Sequence, residues 1–77
     1  MPMAVPYHLG MPLLVVGTKV RFRELYRPPQ VRWGTIGTIV DTEERPAPNS
    51  GADYWVRARF GDLITPWIEA WQLERVS

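Results

Sequence analysis

Proline and glycine punctuate this chain so closely that they decide what it can fold into. Eight prolines and six glycines fall among 77 residues, which leaves little room for a helix of ten residues or more. Proline removes a backbone donor and breaks helices, and glycine weakens them. Between these breaks the apolar residues recur every second position. In Tyr54-Trp55-Val56-Arg57-Ala58-Arg59-Phe60, Tyr54, Val56, Ala58 and Phe60 share one face, and Trp55, Arg57 and Arg59 the other. The same period governs Gly17-Thr18-Lys19-Val20-Arg21-Phe22-Arg23. There Val20 and Phe22 turn inward, and Lys19, Arg21 and Arg23 turn outward.

Further strands follow from the same reasoning. Trp33 to Asp41 is glycine-studded and β-branched, a strand in which Gly34 and Gly37 suggest a bulge or tight bend. Gly61-Asp62 sits in a hairpin position, where glycine supplies the positive φ of a type II′ turn. Leu63 to Ile68 follows as a strand with Pro66 near its end. Glu69 to Gln72 reads as one helical turn, and Leu73 to Val76 as a short closing strand. Pro28-Pro29 forces an extended excursion after the first strand, and Thr42 to Asp53 reads as an acidic, turn-rich loop. The expected core is Val20, Phe22, Ile39, Val56, Ala58, Phe60 and Leu73.

The expected architecture is therefore all-β: a small five-stranded barrel over residues 15–77. A sheet of this size must close or nearly close to protect its edges. Residues 1–14 read as a flexible arm. They carry Pro2, Pro6 and Pro12 and no Lys, Arg, Asp or Glu. A single domain this short has a thin core. It has no cysteine for a disulfide or thiolate site, so apolar packing or self-association must stabilise it.

The pattern Gly17-x-x-Val20, Gly34-Thr35-Ile36-Gly37-Thr38-Ile39-Val40, Tyr54-x-Val56 and Leu73-Glu74-x-Val76 resembles the bacterial SH3-like β-barrels. These include the KOW domains of ribosomal and transcription proteins and small accessory-subunit barrels. The resemblance spans residues 15–77 and implies the fold more than any function, because glycines and core apolar residues carry it. A weaker similarity is to type II plasmid dihydrofolate reductase, an SH3-like barrel that forms a tetramer around a pore. It rests on Gly17, Val20-Arg21, Trp33-Gly34, Tyr54-x-Val56 and Leu73-Glu74-Arg75-Val76. Where that family carries Val-Gln-Ile-Tyr, this sequence reads Leu63-Ile64-Thr65-Pro66-Trp67-Ile68.

No catalytic constellation appears. The one histidine, His8, falls in the arm, away from any Ser or Asp it could activate. No cofactor motif is present, and none is expected. Asp41, Glu43 and Glu44 read either as oxygen ligands for a hard cation or as a solvated surface. No catalytic or metal residue is assigned. The informative feature is the outward face of Trp55, Arg57, Arg59, Lys19, Arg21 and Arg23. Aromatic and basic side chains on a sheet can anchor a protein partner, stack and neutralise nucleic acid, or pack beneath the arm. The net charge of +1 argues against an electrostatic nucleic-acid coat.

The expectation is a non-catalytic interaction module or accessory subunit, binding a protein or its own copy. A KOW-like nucleic-acid contact comes second, and a diverged reductase relative third. No membrane partner is expected, and the cytoplasm is the default compartment.

Overall fold

The computed structural model describes residues 14–47 and 51–76. The predicted arm lies outside the described residues except for Leu14, which is buried in the core. Six strands form one antiparallel sheet. They are β1 (Lys19–Phe22), β2 (Gly37–Ala47), β3 (Gly51–Phe60), β4 (Leu63–Ile64), β5 (Ile68–Glu69) and β6 (Leu73–Arg75). Two three-residue 3₁₀ turns, Glu24–Tyr26 and Ala70–Gln72, are the only helical elements among the described residues. None of the described helices is long and apolar enough to cross a membrane.

The sheet runs β4-β3-β2-β1-β6, with β5 also paired to β3. It differs from the sequence reading in two respects. There are six strands instead of five, because the predicted Leu63–Ile68 strand is broken at Thr65-Pro66 into β4 and β5. Proline cannot continue the ladder there. The sheet also does not close into a barrel.

The β2–β3 hairpin accounts for the largest further departure. The predicted loop from Thr42 to Asp53 is mostly paired strand, with Glu43 opposite Trp55, Glu44 opposite Tyr54 and Arg45 opposite Asp53. Charged residues and Pro46 suggested a loop, but antiparallel pairing is made by the backbone and tolerates polar side chains on both faces of a ribbon. The strand also starts later than expected. Trp33 and Gly34 lie in a turn before β2, closed by the Thr35 N–H donating to the Arg32 carbonyl at 3.1 Å. The bulge or tight bend expected at Gly34 and Gly37 is present as the turn at Gly34, whose φ is 81°, and a second irregularity falls between Ile39 and Asp41, a bulge at Val40.

The core forms where the alternation places it. All seven expected residues are buried, and Leu14 and Val31 join them. Phe22 stacks on Phe60 with ring centroids 5.0 Å apart. Gly61 has φ 64°, and no residue but glycine has positive φ among those described, the sign pattern of the II′ hairpin expected there. Arg27 folds back to donate to the Val31 carbonyl at 2.7 Å and to Glu24 at 2.9 Å. These bonds fix the proline-containing connection between β1 and β2.

Thr65 holds the broken edge together. It is buried, and its Oγ1 accepts the Ala58 N–H at 3.0 Å. Its own N–H donates to the Ala58 carbonyl at 2.9 Å. One side chain thus supplies the acceptor that a continuous strand would have offered from its backbone.

Candidate interaction surfaces

The six residues of the predicted outward face lie on β1, just past its end and on β3, each among its own neighbours. Lys19 pairs across β1–β2 with Thr38, which pairs across β2–β3 with Arg59. Lys19 Nζ donates to Thr38 Oγ1 at 2.9 Å. Arg21 lies opposite Glu74 and forms an ion pair with it. Arg23 reaches the same carboxylate at 3.5 Å and donates to the Trp71 carbonyl at 2.9 Å. Arg57 lies opposite Asp41. Strand register thus sets an acid against Arg21 and Arg57, so the face alternates in sign and is not a continuous basic stripe.

Trp55 sits within a different group. Across the sheet it is flanked by Glu43 on β2 and Glu69 on β5. The Arg45 guanidinium carbon lies 4.3 Å from the centre of its ring and 5.8 Å from that of Trp67. Arg57 lies 5.8 Å from the Trp67 ring on the same face. Arg45 also donates to Glu43 at 3.1 Å, and Trp71 Nε1 donates to Glu69 at 3.0 Å. Trp55 is half-buried beneath this cluster instead of standing as a bare anchor. Arg45, which the sequence reading assigned to the loop, is its main covering residue.

The strongly exposed apolar side chains lie elsewhere. Leu25 is 85% exposed, Trp33 71%, Ile36 52% and Trp71 40%. Three of these lie on the connection between β1 and β2. Trp71 lies on the turn before β6 and packs edge-on against Tyr26, centroids 4.9 Å apart. The sequence reading missed this group because it placed Trp33 in a strand and Trp71 in a helical turn without assigning either an exposed face. The one available signal was the position of Trp33 beside Gly34, whose φ of 81° marks a turn.

Beside the Tyr26 turn is an open groove of about 220 Å³, lined by residues including Phe22, Tyr26, Pro28, Pro66 and Ile68. No Lys, Arg, Asp or Glu lines it. The stretch compared above with the reductase motif forms one of its walls.

The candidate cation ligands are also separated. Glu43 and Glu44 are adjacent on β2 and so point to opposite faces. Among the described residues no group of three or more His, Asp or Glu could hold a metal ion.

The charge state of the β1–β2 connection is shaped locally. The Arg27 guanidinium, by its hydrogen bond first and its charge second, holds the Glu24 carboxyl below its ordinary value. The same bond raises Arg27.

No protein family, curated protein or solved structure matches this chain.

Proposed function

We propose that this chain is a non-catalytic relative of the SH3-like barrels, its sheet left open, that acts as an interaction module or accessory subunit, in contact with another protein or with its own copy. The strand order β4-β3-β2-β1-β6, with a long first connection and a 3₁₀ turn before the last strand, supports that fold family. The observation that carries the functional reading is Trp33, 71% exposed on an ordered turn with Leu25 and Ile36 exposed on the same connection. Large apolar side chains left in water stabilise a domain only when something covers them, and Trp dominates the energy of such contacts.

A protein partner is favoured over nucleic acid by the sign alternation of the β1–β3 face. Glu74 takes up Arg21 and Arg23, and Asp41 lies opposite Arg57, so acids interrupt the basic face that a phosphate backbone would need.

The test is Trp33→Ala, read by light scattering for self-association and by titration against a co-purified partner. The substituted domain keeps its fold, and its association weakens by at least about 2 kcal/mol, the hot-spot scale. Unchanged association refutes the anchor. Binding of single-stranded nucleic acid with a steep salt slope, or reduction of dihydrofolate, would refute the reading itself.

A further inference from the structure

We infer that Trp55 and Trp67 form a binding site for a quaternary or methylated ammonium group, held shut in the free protein by Arg45. The inference is independent of the association surface above, and its residues are different. Two indole rings lie around one cation, at 4.3 and 5.8 Å from the Arg45 guanidinium carbon. The protein's own side chain thus demonstrates that this part of the sheet accepts a positive charge against aromatic faces. Such faces attract cations through the ring quadrupole, most strongly for tryptophan.

The surrounding carboxylates complete the site. Glu43 and Glu69 are the cross-strand neighbours of Trp55 on either side, so both sit within a strand spacing of the ring. Glu69 is engaged by the Trp71 indole N–H, and Glu43 by Arg45 itself. When Arg45 leaves, Glu43 loses its counter-charge, and an incoming cation restores it. Arg57 also lies 5.8 Å from the Trp67 ring, with Asp41 as its cross-strand neighbour on β2.

Arg45 is held weakly. Its ion pair is solvent-exposed on both sides, and exposed pairs of this kind contribute little. It is nonetheless tethered beside the rings and acts as an internal competitor. A quaternary ammonium has an advantage over it. It is a permanent cation with no N–H to satisfy, so it sheds little hydration on entering an aromatic site. A primary ammonium is strongly hydrated and loses that advantage.

The experiment uses the full chain, following the indole N–H signals of Trp55 and Trp67 by heteronuclear NMR as probes are added. The probes are choline and Nα-acetyl-Nε-trimethyllysine, with 3,3-dimethylbutan-1-ol as the uncharged carbon isostere of choline. Both cations are expected to shift the two signals, and the isostere to leave them in place. The tighter of the two distinguishes a free small molecule from a lysine side chain as the natural source.

Arg45→Ala is expected to bind at least about threefold more tightly, the loss of one exposed cation–π competitor. Trp55→Ala is expected to abolish binding. Arg45→Gln is run beside them to keep a long polar side chain on the ribbon, and the spectrum itself reports folding. The inference is overturned if the isostere binds as well as choline. It is equally overturned if neither cation moves the Trp55 and Trp67 signals in any folded Arg45 variant. Trp33→Ala leaves this site intact, so failure here and failure of the association surface are separable.

Discussion

Gly37 is pressed against Phe60. A Cβ built at Gly37 would lie 2.6 Å from the Phe60 ring and 2.6 Å from the Arg59 carbonyl oxygen. The ring is itself stacked on Phe22 and the carbonyl belongs to a central strand, so neither can move aside. Gly37→Ala is therefore expected to destabilise the domain by about 1–3 kcal/mol, the cost of overpacking a filled core. Equilibrium urea denaturation measures it, and an unchanged midpoint would mean that β2 and β3 are less closely joined than described.

Phe60→Ala tests the same region from the opposite direction. The side chain is buried within the single core cluster, and its removal leaves Phe22 without a stacking partner. A loss of about 3–5 kcal/mol is expected, a large share of the stability of a domain this small. A neutral result would show that the apolar face of β3 is not the core face.

Thr65 is expected to be required for its hydroxyl and not for its volume. Thr65→Val preserves shape but leaves the buried Ala58 N–H without its acceptor, at a cost of about 1–3 kcal/mol. Thr65→Ser keeps the hydroxyl and retains more of the stability. Comparing the two denaturation midpoints separates hydrogen bonding from packing. Equal losses would refute the bond.

The Glu24–Arg27 pair predicts a local response to acid. Glu24 titrates below its ordinary value because Arg27 binds its charged form. A carboxyl depressed in the folded state stabilises that state above its unfolded pKa, and the contribution disappears as pH falls through the folded value. Arg27 also donates to Val31, so the β1–β2 connection is expected to loosen on acidification. Amide hydrogen exchange at Arg27 and Val31, corrected for the intrinsic effect of pH, is expected to quicken relative to β3. Glu24→Gln is expected to remove the pH dependence.

Strand faces were legible in the sequence, and partnerships between strands were not. The alternation from Tyr54 to Phe60 placed Val56, Ala58 and Phe60 inside, and the structure buries all three. A period of two needs only local information. The pairings of Arg21 with Glu74 and of Arg57 with Asp41 depend on register across the sheet, shifted further by the Val40 bulge. No pattern along one strand reveals that. Arg45 was missed for a related reason. Its charged, proline-bearing surroundings suggested a loop, while the backbone of β2 continues through it to Ala47. The exposure of Trp33 depended on where β2 starts, and a boundary error of a few residues hid it.

The pairing of β1 with β6 brings Phe22 beside Leu73 and Val20 beside Arg75, from opposite ends of the described chain. The β2–β3 hairpin, by contrast, joins neighbours in sequence and can form on the microsecond scale of hairpins. Closing β1 onto β6 joins residues far apart in sequence and must overcome the loop entropy that remains after the hairpin has formed. This imposes an order of events on synthesis. The hairpin can assemble while the chain is still emerging, but the lower face of the core stays open until residues 73–75 are free of the ribosome. Through that interval Val20 and Phe22 lack their last strand, and it is then that a nascent chain of this design is most vulnerable to proteases and to pairing with the wrong edge.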